Sequence, residues 1–274
     1  MPTASVIVRT YNAPRELDLV LEGLARQSVM PMEVVVADDG SRGELMGGFK
    51  RWERVYPTKL IRVSQEDMGF RKGLISNKAV ASAAGEELLF IDGDAVPHRD
   101  WVADHLAAAE KAEVRCGRRV KLGPNLSPRI DCEVVRSGAL EFLFGPVLRY
   151  AVKGDTQRFF LGVRLPSVLA SAFHPRPRKL MGVNFSVSRA AFERVNGFDN
   201  DWTHRRPDKD LDLRLRRSGA NYMALLNRAV VYHIFHPERS CSASTEHRVK
   251  EEERSSRIRA ANGLLQASAP EKVV

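Results

Sequence analysis

Short apolar runs alternate with stretches of helical periodicity over the first hundred residues of the chain. Four of these runs have the length and uniformity of buried strands: Val6–Val8, Val34–Ala37, Leu60–Val63 and Leu88–Ile91. Helical spacing recurs between them, in the series Leu17, Val20, Leu21 and Leu24 and the series Leu74, Ala79, Val80 and Ala83. Strands separated by helices predict an α/β fold with a mostly parallel sheet flanked by helices.

The second half of the chain contains fewer stretches that predict a strand or a helix. Residues Gly182–Ser188 predict a strand that leads into a helix at Arg189, and a further helix is predicted over about Asp208–Arg217. Two strands are expected after it, the last ending near Val230–Pro237. From residue 241 onward the chain is rich in Glu and Arg with a poor apolar stripe, which favours a solvated helix or a disordered tail over a further domain.

The charge is localised. The chain has 43 Lys and Arg against 34 Asp and Glu, a formal net charge of +9. The segment from Lys111 to Lys179 carries 14 of the basic residues and 5 of the acidic ones, so the rest of the chain is neutral. A local excess of this kind favours an anionic partner at one surface, either a membrane or an acceptor, with a solvated basic face as the alternative.

Three other features bear on the environment of the chain. No stretch free of Asp, Glu, Lys and Arg exceeds 11 residues, well below the roughly 20 that span a bilayer. The N-terminus has no basic lead and too short an apolar run for a signal peptide. Cys116, Cys132 and Cys241 have neither disulfide nor zinc spacing, which favours a cytoplasmic protein with ordinary thiols.

Polar residues follow three of the predicted parallel strands. Arg9–Asn12 follows the first strand, Asp38–Ser41 the second and Asp92–Asp94 the fourth. Open parallel sheets bind ligands at the carboxyl ends of their strands. The three turns therefore predict one site at that edge, although each alone is also an ordinary turn.

Asp92 and Asp94 flank Gly93 in a tight turn after a buried strand. One carboxylate can reach Mg²⁺ or Mn²⁺ bridging a diphosphate while the other meets a ribose hydroxyl. An imidazole from His233 or His236 can complete such a site. A spacing of three residues puts these histidines on opposite faces of a strand, so we expect one of them to bind metal. A solvated turn and hydrogen-bonded core histidines are the alternatives.

Asp208, Asp210 and Asp212 cluster at the start of a predicted helix. One of them can act as the base that removes a proton from an attacking hydroxyl, or all can stabilise the helix N-terminus. The chain lacks the glycine motifs of dinucleotide dehydrogenases, P-loop hydrolases and serine hydrolases. It also lacks zinc-finger and RNA-binding aromatic motifs, which leaves a nucleic-acid-binding protein as a remote alternative.

Taken in order, five segments resemble the family 2 glycosyltransferases of GT-A fold. They are Ala4–Asn12, Glu33–Ser41, Phe90–Asp94, Met181–Arg189 and Phe192–Asp199. The resemblance covers residues 4–94 and 180–236. It implies one domain over residues 1–240, with a nucleotide-binding half over about 1–110 and an acceptor-side half over 111–240, followed by a charged tail over 241–274.

The resemblance implies a metal-dependent, inverting transfer of one sugar from a UDP-sugar to a hydroxyl. The nucleotide-sugar site would include Thr10, Tyr11, Asn12, Asp39, Arg71, Asn77, Asp92, Gly93, Asp94 and Asp210. Asp92, Asp94 and His233 would bind Mn²⁺ or Mg²⁺, with His236 in reserve for His233. Asp39 would contact the base, and Arg71 and Asn77 would lie near the base and diphosphate.

By register Asp208 would be the catalytic base, with Asp210 as its neighbour. The related pattern is Glu-Asp-x-Asp-Leu, and here Pro207 stands in the Glu position. The Gln-x-x-Arg-Trp sequence of processive synthases is absent. The resemblance therefore implies transfer of a single sugar, or, as an alternative, a sugar-nucleotide-binding or nucleotidyltransferase-like protein.

The partners implied are a UDP-sugar donor and a glycan or lipid-linked acceptor, in surface polysaccharide biosynthesis. An anionic membrane surface could be met through the basic segment over residues 111–179, and no nucleic-acid partner is expected. These partners fit a cytoplasmic protein that is peripheral on the inner face of the membrane.

Overall fold

The structure, a computed structural model, describes residues 2–142, 145–174, 176, 179–203, 206–237 and 243–267. The strands are β1 (Ala4–Thr10), β2 (Glu33–Asp38), β3 (Lys59–Ser64), β4 (Glu87–Asp92), β5 (Ala95–Pro97), β6 (Val114–Cys116), β7 (Arg118–Lys121), β8 (Asn184–Ser188), β9 (Tyr222–Ala224) and β10 (Val230–His233). The helices are α1 (Pro14–Ala25), α2 (Glu44–Val55), α3 (Lys72–Ser82), α4 (Trp101–Ala107), α5 (Cys132–Arg136), α6 (Pro146–Val152), α7 (Ser167–Phe173), α8 (Arg189–Arg194), α9 (Pro207–Arg217) and α10 (Ala243–Arg254). Short 3-10 turns cover Ser127–Arg129, Ala139–Glu141, Phe159–Gly162 and Leu264–Gln266.

The four predicted strands of the first hundred residues form the parallel part of the main sheet. That sheet has the order β3-β2-β1-β4-β8-β6-β9, in which β1 to β4 are parallel to one another. Alternate side chains face opposite layers, so Val6 and Val8 pack with α1 while Ile7 packs with Ile75 and Ala79 of α3. Because helices cover both faces, these strands read as unbroken apolar runs. The predicted α/β fold is confirmed.

Strand β8 reverses direction and sets the geometry beside β4. It runs antiparallel to β4, with Asn184 opposite Ile91 and Phe185 opposite Phe90. The Phe90 and Phe185 rings stack with centroids 4.6 Å apart. Because β8 begins opposite the end of β4, the turn that precedes it, which contains Gly182, lies beside Asp92.

The second sheet has the order β5-β10-β7 and lies against the carboxyl edge of the first. Strand β10 pairs with β5, which follows the Asp92–Asp94 turn directly, and His233 lies opposite Ala95. Asn184 joins the two sheets, since its amide donates to the carbonyls of Arg118, at 2.9 Å, and Ala229, at 2.7 Å. This pairing carries the end of β10 to the turn after β4.

The charged tail folds back onto helix α9. Residues 243–254 form a helix, which was one of the two expected states, and eight of its twelve residues are exposed, whereas Thr245, Val249 and Glu252 are buried. Arg257 pairs with Asp199 at 2.6 Å and Asp210 at 2.9 Å, and Arg217 pairs with Glu252 at 2.8 Å. These ion pairs compensate for the poor apolar stripe, which is why hydrophobic periodicity alone underestimated the packing.

Two further expectations concerned membrane-spanning helices and the cysteine residues. Among the described residues no helix is both long and apolar enough to cross a bilayer. Cys116 is a buried free thiol and Cys132 a half-buried one, whereas Cys241 lies outside the described residues.

A buried imidazole lies under the main sheet. His105 of α4 is 1% exposed, and its ring nitrogens lie 2.8 Å from Ser186 Oγ and 3.1 Å from Asn184 Oδ1. Burial, reinforced by the Arg115 guanidinium, lowers the pKa of His105 to about 3. The folded chain therefore keeps this ring neutral over a pH range in which the unfolded chain protonates it.

We expect His105 to make the fold acid-sensitive. Since the unfolded imidazole titrates near 6.5 and the folded one near 3, its contribution to stability is complete above about pH 6.5 and declines as the pH falls. The decline should be about 1.4 kcal/mol per pH unit. Urea unfolding at several pH values should give a shallower pH dependence for His105→Gln than for the parent chain. His247→Gln, at an exposed position, controls for the loss of an imidazole, and equal slopes for the parent and His105→Gln would contradict the assignment.

Candidate functional site

A cavity of about 880 Å³ opens where the two sheets meet. It lies at the carboxyl ends of β1, β2, β4 and β10, the edge at which the polar turns were predicted. Nine of the predicted site residues line it: Thr10, Tyr11, Asn12, Asp39, Asp92, Gly93, Asp94, His233 and His236. Gly93 lets the β4 turn lie against β1, since a side chain there would meet Thr10 Cβ at 3.0 Å and the Arg9 carbonyl at 3.1 Å.

Asp92 is held by two cations. Its Oδ1 atom lies 2.7 Å from Arg9 Nη2 and 2.7 Å from Lys72 Nζ. Burial favours the neutral carboxyl, but the charges of Lys72 and Arg9 outweigh it and hold the pKa of Asp92 well below its usual range. Asp92 is thus a fixed carboxylate whose second oxygen has no ion pair among the described residues.

Arg9 connects Asp92 to the predicted catalytic base. The guanidinium is 4% exposed, and its Nη2 donates to the Gly182 carbonyl as well as to Asp92. The amide of Gly182 in turn donates to Asp208 Oδ2 at 3.2 Å. Asp208 does not line the cavity itself, and the backbone of Gly182 links it to Arg9, which does.

Asp94, His233 and His236 form a group that could hold a metal ion. One ligand atom from each lies within 4.8 Å of the others. His233 Nε2 is 3.4 Å from Asp94 Oδ1, and His236 Nε2 is 3.4 Å from Asp94 Oδ2. The buried Asp94 Oδ1 accepts no hydrogen bond. An unpartnered carboxylate oxygen beside two imidazoles fits Mn²⁺ or a similar divalent ion.

Both histidines lie beside Asp94, whereas the sequence led us to expect that only one of them would bind metal. Strand β10 ends at His233, so the alternation of strand faces does not extend to His236. Burial lowers the pKa of His233, although Asp94 opposes this, and so favours the neutral imidazole that binds metals. The hydrogen bond with Asp94 raises the pKa of His236. Asp92, predicted as a ligand, is not a member of this group.

The far end of the cavity is organised around Asp39. Its carboxylate accepts from Gln65 Nε2 at 2.6 Å and from the Arg71 amide at 3.1 Å. Burial raises the pKa of Asp39, and the Gln65 hydrogen bond opposes that shift. The Arg71 guanidinium does not line the cavity and donates instead to the Glu66 carbonyl. Tyr11, half-exposed, donates to Asp67 at 3.0 Å.

Two predicted site residues lie in the protein interior. Asn77 is fully buried, and its amide is saturated by Phe198 and Asn200, so the prediction that it lies near a diphosphate is wrong. Asp210 is also fully buried and accepts from Arg214 and Arg257. The prediction that Asp210 contacts the donor is wrong for the same reason, since its oxygens stabilise helix α9. Asp208, at the start of the same helix, is half-exposed.

Sequence reasoning gave no role at this site to three cations, although one of them, Arg9, belongs to a predicted polar turn. Arg9, Lys72 and Arg119 line the cavity. A basic residue at the end of an otherwise apolar strand was a visible signal for Arg9, because a buried guanidinium needs a counter-charge. Lys72 and Arg119 carried no such signal, since they belong to a helix start and to a short strand of the second sheet.

The chain resembles known glycosyltransferases in sequence. The sequence profile described as glycosyl transferase family 2 matches residues 5–154. Validoxylamine A glucosyltransferase of Streptomyces hygroscopicus subsp. limoneus is 33% identical over 213 residues, which are 74% of this chain and 45% of that protein. Chondroitin synthase of Pasteurella multocida is 34% identical over 103 residues, 37% of this chain and 10% of that protein. The chain thus spans less than half the length of these two relatives.

Solved structures share the fold. The mannosyltransferase PcManGT of Pyrobaculum calidifontis, solved with GDP-Man and Mn²⁺, has a TM-score of 0.57 at 22% identity over 88% of this chain and 59% of its own. Residues 1–349 of S. aureus TarS with UDP give a TM-score of 0.60 at 18% identity over 97% of this chain and 68% of the other. The profile match covers more than half of the chain. The chain therefore belongs to glycosyl transferase family 2 and has the GT-A fold.

Proposed function

We propose that this protein transfers one sugar from a UDP-sugar to a hydroxyl group, with inversion and with a divalent metal ion. The observation that carries the proposal is the Asp94, His233 and His236 group at one end of a cavity whose floor also holds the ion-paired carboxylate Asp92. This combination suits a nucleoside diphosphate, which brings both a metal-bound diphosphate and ribose hydroxyls.

Different residues of the chain can perform the separate steps of such a transfer. Asp208 would accept the proton of the attacking hydroxyl as that oxygen approaches the anomeric carbon from the face opposite the diphosphate. Arg9 and Lys72 keep Asp92 ionised, and its second oxygen would accept a hydrogen bond from a ribose hydroxyl. Asp94, His233 and His236 would hold the Mn²⁺ or Mg²⁺ ion, which neutralises charge on the leaving diphosphate.

The nucleotide base would lie at the Asp39 end of the cavity. A carboxylate acceptor there suits the N–H of uracil, and Tyr11 offers a half-exposed ring beside it. The TarS structures were solved with UDP and with UDP-GlcNAc, whereas PcManGT was solved with GDP-Man. A uracil nucleotide is our proposal, with a hexose or N-acetylhexosamine as the sugar. We also propose that Arg71 contacts the nucleotide base.

The acceptor we propose is a glycan or a lipid-linked glycan in surface polysaccharide biosynthesis, reached by a cytoplasmic protein at the inner face of the membrane. The second candidate function is binding of a sugar nucleotide without transfer. It is favoured by Pro207, which begins helix α9 in the position where the related pattern has a carboxylate.

A panel of nucleotide sugars tests the donor class. With Mn²⁺ present, UDP-sugars should raise the unfolding temperature more than GDP-mannose, by an amount that grows with concentration. Saturation at about 100 times the Kd adds about 2.7 kcal/mol of stability. UDP release with candidate acceptors then separates transfer from binding alone. A larger shift with GDP-mannose would exclude the uracil assignment.

Replacing the base should separate binding from chemistry. We expect Asp208→Asn to retain the thermal shift with a UDP-sugar but to lose transfer by on the order of a hundredfold or more, because no proton acceptor remains. Asp201→Asn, at an exposed position before the same helix, is the matched control and should turn over like the parent. Full turnover by Asp208→Asn would remove Asp208 from the role.

Metal dependence should follow the Asp94 group. We expect EDTA to abolish transfer and Mn²⁺ to restore it. His233→Ala and His236→Ala should each weaken Mn²⁺ binding by at least about tenfold, since even residues that only orient metal ligands contribute that much. His247→Ala, remote from the cavity, is the control. Unchanged activity in EDTA would refute the metal site, and an effect of only one histidine would define which of them is the ligand.

A further inference from the structure

The basic segment divides into paired and unpaired cations. Arg115 pairs with Glu87, Arg136 with Glu22, and Arg164 with Asp104 at 2.8 Å. Arg149, Lys153 and Arg158 are exposed and form no ion pair among the described residues. Lys111, Arg129, Arg176 and Lys179 are also exposed without an ion pair among the described residues. Arg149, Lys153 and Arg158 are the part of this free positive charge that lies on α6 and beside the 3-10 turn Phe159–Gly162.

The same stretch exposes an unusual amount of apolar surface. Seven of the sixteen large apolar side chains that are exposed among the described residues fall within residues 142–173. Six of them lie on α6, on the turn Phe159–Gly162 and on α7: Val152, Phe159, Phe160, Val168, Leu169 and Phe173, with exposures from 40 to 81%. We call these six residues with Arg149, Lys153 and Arg158 the basic apolar face. Exposed apolar groups at this density mark an interaction surface.

Asn227 holds the parts of this face together. Its side-chain amide donates to the carbonyls of Phe160, at 2.6 Å, and Val163, at 2.9 Å. Its side-chain oxygen lies 2.9 Å from His174 Nε2, at the end of α7. The turn Phe159–Gly162 also contacts β7 and β10. The face is thus anchored on the small sheet that contributes Arg119 and His233 to the cavity.

In the part of the chain that the structure describes, no carboxylate forms an ion pair with Arg149, Lys153 or Arg158. Asp155 is the one carboxylate between residues 142 and 173. Its oxygens accept hydrogen bonds from the backbone amides of Asn125, at 3.0 Å, and Leu126, at 3.2 Å. Asp155 thus stabilises the loop that contains Asn125 and Leu126 and does not pair with the free cations. The surface therefore offers cations interleaved with apolar side chains.

We propose that the basic apolar face binds an anionic lipid membrane. Apolar side chains can enter the interface while the cations meet lipid phosphates, and each Lys or Arg adds to the binding of an anionic leaflet. A second copy of the chain is disfavoured, because an isologous contact would bring like charges together. A soluble polyanion would leave the apolar groups in water.

Because the face is anchored on the small sheet, a membrane bound there would bear on the proposed reaction. A bilayer on this face would lie beside the small sheet and so near the cavity, where a lipid-linked acceptor would present its hydroxyl. That role rests on the proposed function. Membrane binding does not, since it requires no turnover and would persist in a chain that fails to transfer sugar.

Vesicle co-sedimentation tests the charge component. The full chain should sediment with phosphatidylcholine vesicles that contain phosphatidylglycerol, and much less with phosphatidylcholine alone or at high salt. Lys153→Gln/Arg158→Gln should weaken binding about fivefold for each cation removed. The control Lys50→Gln/Arg54→Gln removes two exposed cations of α2 and should bind like the parent. Equal losses in the two double variants would overturn the assignment to this face.

A second pair of variants tests the apolar component. Val168→Ser/Phe173→Ser should weaken vesicle binding without removing its salt dependence, whereas Met32→Ser/Val55→Ser, at exposed positions elsewhere, should not. Thermal unfolding checks that all variants fold. Absence of binding to anionic vesicles at low salt would overturn the proposal. So would a dimer in sedimentation velocity that Val168→Ser/Phe173→Ser disrupts, because that result would assign the face to self-association.

Discussion

The candidate site depends on one buried charge, the guanidinium of Arg9. A cation that is 4% exposed at the end of a strand needs compensation, since the loss of hydration costs several kcal/mol. Asp92 supplies the counter-charge, the Gly182 carbonyl accepts a hydrogen bond, and the Phe90 and Phe185 rings lie 5.7 and 5.8 Å from the guanidinium carbon. The two hydrogen bonds of Arg9 Nη2 thus link β1, β4 and the turn before β8 to one another, while Nε and Nη1 of the same guanidinium are buried without a hydrogen-bond partner. Asp208 is positioned through that same turn.

A second buried ion network fixes the helix that carries Asp208. Asp210 lies between Arg214 of its own helix and Arg257 of the C-terminal segment, and Arg257 also reaches Asp199 and Glu252. Arg257 therefore stabilises the first turns of α9 through Asp210, while the Gly182 amide donates to Asp208. Two carboxylates that are two positions apart consequently have different roles: Asp210 is structural, and Asp208 is the only one of the two with a half-exposed side chain.

Sequence patterns predicted the parallel strands and the polar turns that follow them, because both are local consequences of apolar periodicity. With the family resemblance, they also predicted nine of the residues that line the cavity. The failures have one origin. Asn77 and Asp210 are polar residues whose partners, Phe198 and Arg257, are distant in sequence. No local pattern distinguishes a polar side chain that is satisfied in the interior from one that is open to a ligand. His236 was underestimated because the end of β10 depends on its pairing with β5 and β7.

The sequence by itself determined the α/β class, the edge of the sheet where the chemistry lies, the family and the place of the excess charge, since all of these reside in the order and type of neighbouring residues. Tertiary structure decided which polar residues share the cavity, because antiparallel β8 and the small sheet bring Gly182 and His233 to the turn after β4. It also decided which cations are free. Ion pairs such as Arg164 with Asp104 join residues 60 positions apart, and only the folded chain makes them neighbours.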